Sequence, residues 1–455
     1  MRFHSQQKNA REDQAQDLTP MRIVEIELGQ TLPLLTAFGE KEEKQYQRVL
    51  GVVRLHTHPL GIVELHLSED SLAPSVYAPL IWKVLEKEIN EHLQHDGLPA
   101  ISTLSEEGIA NPTTPSCLKE REQFLAEAPF VSVIIPTHER PDLLTKCLKS
   151  LLKQNYPAFE VVVVDNAPGT STTADLIKQT YGDRPQIRYV REDRPGLSWA
   201  ANRGIQEARG QILAFTDDDV ILDTYWLAEL VRAFRRADNV VCATGLVLPL
   251  ELEHPAQFWF EQYGGFTKGF KRRIFDMANH RPPTLLHPYA SGKFGTGASM
   301  AFKASYIRSV NGFDPALSGT DYVKAGPDIA AFFQVMIQNY QLVYEPLSLA
   351  YHLHRRDYPG LRKQIYNYGV GFTAYLTKSV WDRPQLLLDL LLKIPYGLFF
   401  AISNQSPKNQ KRQANYPKEL KYLELKGMLV GPFAYLQSRR FIQKSLKKDI
   451  TFKES

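Results

Sequence analysis

The stretch VSVIIPTHERPDLLTKCLKSLLKQ, Val131 to Gln154, decides the fold. It opens on a continuous apolar run, VSVIIP, of the kind a parallel strand buried on both faces requires. A polar turn follows, and then Leu143, Leu144, Cys147, Leu148, Leu151 and Leu152 mark one apolar stripe at helical spacing. The unit recurs downstream as EVVVVD, TTADLIKQTY, QIRYV, LSWAANRGIQEA and ILAFTD. Strand and helix alternate at intervals of roughly 30 residues, which predicts right-handed crossovers and an α/β domain with a mostly parallel central sheet.

Ligands of such sheets gather at the carboxyl ends of the strands. Those ends read Pro136-Thr137-His138-Glu139-Arg140, Asp165-Asn166, Glu192-Asp193-Arg194 and Asp217-Asp218-Asp219, all polar or charged. The aspartate triplet sets an electrostatic problem. Two carboxylates ~5 Å apart at an effective dielectric of ~20 repel by ~3 kcal/mol. Alone, the triplet reads as readily as a solvated turn or a cap for the helix DTYWLAELVRAF as it does as a set of metal ligands. On one rim with Asp165 it reads as a ligand set for a hard divalent ion, Mn²⁺ or Mg²⁺, which would also neutralise a diphosphate. Neither GxGxxG after the first strand nor GxxxxGK[ST] occurs, which excludes a dinucleotide-binding Rossmann domain and a P-loop.

The totals bound the rest. A chain of 455 residues implies two to four units. The net charge of +4 implies no nucleic-acid partner. Cys117, Cys147 and Cys242 show no CxxC spacing, so neither a disulfide scaffold nor a zinc knuckle is expected, and a reducing compartment fits. Residues 1–20 read as a polar tail without the apolar core of a signal peptide, placing the protein in the cytoplasm. Residues 21–99, with RIVEIEL, VLGVVRLHTHP and GIVELHLS before APLIWKVLEKEINEHL, predict a small α+β domain. Its helix should bury Leu80, Ile81, Val84, Leu85, Ile89 and Leu93, and His56 and His58 read as solvent-facing strand histidines. Residues 100–129 are a linker, 130–355 the main domain and 356–455 a helical, basic region.

VSVIIPTHERPDLLTKCLKSLL, EVVVVDNAP, GLSWAANRGI, ILAFTDDDV and FGTGASMAFKAS resemble, in order and spacing, the family 2 glycosyltransferases of GT-A fold over residues 130–354. The resemblance implies a nucleotide-diphosphate sugar donor, most simply a UDP-sugar, bound among Pro136, Thr137, Arg140, Asp165, Arg203, Asp217 and Asp218. Thr137 and Asp165 would meet the base, Asp217 the ribose, and Asp219 the metal. Arg203 is either a nucleotide contact or a surface helix arginine. Gly295, Gly297 and Ser299 would face the donor sugar and acceptor, with Ser299 where the family commonly has Asn.

In NGFDPALSGTDYVKAGPDIAAFFQ the family's Glu-Asp pair reads Pro327-Asp328. Asp328 is the candidate base, or else only the helix's N-terminal carboxylate. His352 is either a further metal ligand or a structural histidine. Together these imply an inverting, metal-dependent transfer of one sugar to a hydroxyl of a glycan, lipid-linked or small-molecule acceptor, as in polysaccharide biosynthesis at the cell envelope. The processive QxxRW signature is absent. The alternatives are a sugar nucleotidyltransferase, which should carry a Gly-rich basic loop where PTHERPD stands, and a non-catalytic nucleotide-sugar-binding protein that has lost its Glu. LLLDLLLKIPYGLFFAI, Leu386 to Ile402, predicts a buried or interfacial helix rather than a span. Eleven Lys or Arg against two Glu between Lys408 and Lys448 are either a solvated face or a peripheral contact with anionic membrane.

Overall fold

The computed structural model describes residues 18–39, 44–67, 70–110, 113–410 and 412–453. The expected polar tail thus lies outside the described residues except for its last three. Strands β1 (Met21–Glu27), β2 (Leu35–Thr36), β3 (Arg48–Leu55), β4 (His58–His66) and β5 (Ser71–Leu72) precede the helix Pro74–His95. β1 pairs parallel with β3, and β3 pairs antiparallel with β4. The helix buries Tyr77, Ala78, Ile81, Leu85, Ile89 and Leu93, whereas Leu80 and Val84 are exposed. The expected stripe is therefore rotated: residues at 77, 81, 85, 89 and 93 stack on one face, and 80 and 84 lie about 100° round the helix.

The main sheet takes β6 (Val131–Thr137), β7 (Phe159–Asn166), β8 (Ile187–Glu192), β9 (Ile212–Phe215), β10 (Val220–Leu222), β11 (Val240–Pro249), β12 (Arg273–Phe275), β13 (Met300–Lys303) and β14 (Gln341–His352). Its order is β10-β14-β11-β13-β9-β6-β7-β8, with β12 also on β14. β6, β7, β8, β9, β11 and β14 run one way, and β10, β12 and β13 run against them. The sheet is mostly parallel, as expected. The stripe on the helix Pro141–Leu151 packs on one face, with Leu144, Cys147, Leu148 and Leu151 fully buried.

Helices close the other end. Tyr358–Asp382 and Lys418–Lys453 cross closely because a Cβ at Gly427 would stand 2.3 Å from the Tyr366 carbonyl, and one at Gly431 would stand 2.4 Å from that of Val370. Between them in sequence, Leu386–Ile402 buries only Ala401, so it is a surface helix and not a core one. No helix among the described residues is long and apolar enough to cross a membrane.

The N-terminal sheet is tied to the main one through buried charge. Arg54 donates to Glu25 and to Asp223, each at 2.7 Å, and Tyr351 donates to Glu25 at 2.6 Å. Asp223 lies just beyond β10 and is as buried as Arg54. Removing one partner of a buried pair costs about 3–5 kcal/mol, because the other charge stays unpaired. Urea denaturation of Arg54→Ala should show a loss of that size, and a loss under about 1 kcal/mol would mean the pair contributes little.

Candidate active site

β9 ends at Phe215, and the chain turns through Asp217, Asp218 and Asp219 before β10 begins at Val220. β10 pairs with β14 so that Val220 faces His352, and Leu353 N–H donates to the Asp219 carbonyl at 3.0 Å. This register delivers His352 to the acidic turn from 133 residues away in sequence. Its Nε2 stands 3.3 Å from Asp219 Oδ1. Ligand atoms of Asp217, Asp219 and His352 all lie within 4.8 Å of one another.

Asp218 is taken up differently. It accepts from Thr137 Oγ1 at 2.8 Å and from Arg140 Nη1 at 3.2 Å, and the same Arg140 nitrogen reaches Asp219 Oδ2 at 3.3 Å. Part of the cation required by the triplet is thus Arg140. Burial, and next the Asp219 charge, push the carboxyls of Asp217 and Asp218 above the ordinary range, so one guanidinium does not complete the compensation.

A histidine chain identifies what does. Burial lowers the pKa of His354, which keeps its ring neutral. Its Nε2 lies 2.9 Å from Glu261 Oε1, and a carboxylate only accepts, so that nitrogen carries the proton. His354 Nδ1 then accepts from His352 Nδ1 at 3.1 Å. His352 Nε2 is turned toward the buried Asp219 Oδ1. An imidazole with two carboxylates fits Mn²⁺ or Mg²⁺.

Asp328 lies across the same cavity, which has a volume of about 1530 Å³. It sits in the first turn of the helix Pro327–Ile337, and its Oδ2 accepts from Gly297 N–H at 3.0 Å. A Cβ on Gly297 would come within 3.4 Å of that carboxylate, so glycine there leaves room beside it. Burial raises the Asp328 carboxyl above its ordinary range. Pro136, Thr137, Arg140, Gly295 and Gly297 line the same space. Asp165 stands opposite Thr137 in the β6–β7 register, fully buried beneath the rim. Its Oδ2 accepts from Tyr189 at 3.0 Å.

Three expected residues, Asp165, Ser299 and Arg203, are not among those that line the cavity. The Ser299 hydroxyl points into the core and accepts from Trp226 Nε1 at 2.8 Å, at the end of the turn that bridges Thr296 to Ser299 just before β13. Arg203 pairs with Glu207 at 2.9 Å on its own helix and does not line the cavity, which leaves the surface-arginine alternative. Sequence reasoning missed Glu261, the role of His354, and the cavity cations Lys268, Arg355 and Lys363. Of these, only His354 and Arg355 lie in the run HLHRR at the end of β14.

Fold and site together define an α/β domain with an acidic, metal-competent site at the carboxyl ends of its parallel strands. Residues 132–290 match the profile of glycosyl transferase family 2. Glycosyltransferase AglE of Haloferax volcanii is 39% identical over 124 residues, 26% of this chain and 38% of the relative. The glucosyl-dolichyl phosphate glucuronosyltransferase of that organism is 23% identical over 191 residues, 40% of this chain and 56% of the relative. The pre-mycofactocin glycosyltransferase of Mycobacterium tuberculosis is 24% identical over 247 residues, 54% of this chain and 46% of the relative. The chain spans about half the length, or less, of these relatives. Among solved structures, the mannosyltransferase PcManGT from Pyrobaculum calidifontis, in complex with GDP-Man and Mn²⁺, superposes with a TM-score of 0.44 at 17% identity, covering 68% of this chain and 86% of that one.

The histidine chain makes Glu261 and His354 positioning residues for His352. Loss of such a partner weakens metal affinity by about 10–100-fold. Calorimetric titration of His354→Phe with Mn²⁺ should show that drop with the fold intact, and unchanged affinity would detach the chain from the metal.

Proposed function

We propose that the chain is an inverting glycosyltransferase that moves one sugar from a nucleotide-diphosphate donor, most simply a UDP-sugar, to a hydroxyl acceptor. The observation that carries this is the sharing of one cavity by the Asp217–Asp219–His352 ligand set and the buried carboxylate of Asp328. Mn²⁺ or Mg²⁺, held by those three residues, supplies Lewis-acid neutralisation of the departing diphosphate. Arg140 and Arg355 add fixed positive charge on that side, with Asp165, paired across β6–β7 with the lining residue Thr137, as the acceptor for an imide N–H of the base.

Asp328 takes the proton of the acceptor hydroxyl as its oxygen attacks the anomeric carbon on the face opposite the leaving diphosphate. Burial of Asp328 raises its basicity, and the Gly297 N–H fixes its orientation. The transition state carries oxocarbenium character, as glycosyl transfer to water does. The missing Glu favours a second reading, a binding protein without turnover, which Asp328 itself tests.

Beyond Asp328 the cavity wall becomes apolar, with Phe372, Leu376, Leu390, Ile394, Leu398 and Met428. A lipid-linked acceptor suits this wall better than a free glycan. Outside it, Leu388, Leu392 and Phe433 are each more than two-thirds exposed, beside the Lys- and Arg-rich terminal helix. Peripheral attachment to the cytoplasmic membrane face follows from that pairing of apolar and cationic surface. The proposed organisation is a small domain over residues 21–99, a connector over 100–129, the transferase over 130–355 and the attachment region over 356–455.

Asp219→Ala should abolish metal-dependent donor binding. Asp328→Asn should spare binding and lower kcat by about 10²–10⁴-fold, and full turnover in it would remove the assigned base. Because the base works deprotonated and its pKa is raised, kcat/KM should fall with decreasing pH at a midpoint above the ~3.9 of free aspartate, and this limb should vanish in Asp328→Asn. Sedimentation with anionic vesicles should retain the wild type and release the triple variant Leu388→Glu, Leu392→Glu, Phe433→Glu. Equal release of both would refute attachment through this face.

A further inference from the structure

A second cluster lies away from the cavity, where the N-terminal sheet meets the main domain. β3 and β4 are joined by the two-residue turn His56-Thr57, both at positive φ, 53° and 70°. Neither is a glycine or asparagine, so the turn must be held by its surroundings. Glu27 receives both backbone N–H groups at 2.9 Å, and Arg121 donates to Thr57 Oγ1 at 2.8 Å. The turn aims His56 inward, so the expectation that His56 and His58 face solvent is overturned: both are buried.

His56 meets His92 and Asp96 from the end of the helix Pro74–His95, and Cys117 from the helix Ser116–Ala126. His56 Nδ1 is 2.7 Å from Asp96 Oδ2 and 3.1 Å from His92 Nε2. His92 Nε2 is 3.2 Å and Cys117 Sγ 3.0 Å from the same Oδ2. A tetrahedral zinc ion with bonds near 2.0–2.3 Å has ligand atoms roughly 3.3–3.7 Å apart, so the four atoms need only a small expansion. All four lie within 4.8 Å of one another.

Hydrogen bonding alone makes three donors converge on one carboxylate oxygen, with two ring nitrogens packed against each other. A cation among them uses every lone pair instead. Asp96 is oriented for this by its other oxygen, which accepts from Cys117 N–H at 3.0 Å. His58 flanks the group, its ring edge-on to His92 at 5.0 Å and its Nε2 buried without a hydrogen-bond partner.

We propose that His56, His92, Asp96 and Cys117 form a structural zinc(II) site that fastens the N-terminal domain and the connecting helix to the transferase domain. A thiolate with two imidazoles selects zinc over the hard ions that the Asp217–Asp219–His352 set takes. The ligands come from three segments, and all four protein positions are filled, which leaves no open position for substrate. The clamp continues into the main domain through Arg121, which donates to the buried Glu229 at 2.8 Å and lies over the Tyr225 ring. The site does not depend on the proposed transferase reaction.

The full-length chain, expressed with zinc in the medium and dialysed against a weak chelator, should retain one zinc per chain by elemental analysis. Asp219→Ala should retain the same equivalent, whereas His92→Ala and Cys117→Ser should lose it and melt at lower temperature. Cobalt(II) added to chelator-stripped wild type should give tetrahedral d–d bands and a thiolate-to-cobalt charge-transfer band that Cys117→Ser lacks. Should the variants fail to fold, the zinc count and the cobalt spectrum of the wild type decide. Folded wild type with no zinc and no thiolate band overturns the site, as does a Cys117→Ser protein that keeps both.

Discussion

The site depends on the mutual repulsion of three carboxylates packed at the end of a buried strand. Water would screen Asp217, Asp218 and Asp219, but Asp218 and Asp219 are more than nine-tenths buried, and the low dielectric that strengthens their attraction to a cation also strengthens their repulsion. Arg140 binds two of them and leaves one Asp219 oxygen unmet. The fold then brings His352 Nε2 to within 3.3 Å of that oxygen. A dication held among these groups would relieve the repulsion between the carboxylates.

Strand pairing, not sequence proximity, makes this arrangement. β10 is only three residues long, two of them buried in the core, and its antiparallel pairing sets the register between the acidic turn and the end of β14. The long parallel pairing of β14 with β11 anchors it. The helix of Asp328 precedes β14, so base and histidine enter from opposite ends of one strand-helix unit. The Gly295–Gly297 loop passes between them, and a side chain at Gly295 would collide with Thr244 at 2.4 Å.

The parts of this that were legible in the sequence share a physical trait: they rest on local period and composition. VSVIIP and EVVVVD are buried on both faces and could only be central strands, and the triplet's position followed from ILAF before it. The parts that were not legible depend on which way one side chain turns. Ser299 turns into the core, and Arg203 finds Glu207 one helical turn away. VLGVVRLHTHP reads as one strand because its hairpin turn, His56-Thr57, lacks the Gly or Asn that normally signals positive φ. Folding it back brought two histidines into the core. Glu261 acts on the metal side only through His354, and no spacing rule relates residues 261 and 354.

The cavity's change of character along its length orients the whole molecule. At the Asp217–Asp219 end Thr137, Arg140, His352 and Arg355 surround the carboxylates with polar and charged groups. At the Leu390–Leu398 end the wall is mainly aliphatic, with Lys393 its one charged member in that stretch. The helix Leu386–Ile402 has the same side chains outside as in the cavity lining, and Ala401 is its only buried residue. A soluble protein gains nothing by leaving Leu388 and Leu392 in water, since each costs about 1.5–3 kcal/mol relative to burial. That cost is offset if the helix rests at the boundary of a bilayer, where an acceptor's apolar chain could pass along it from the membrane to Asp328 without crossing water.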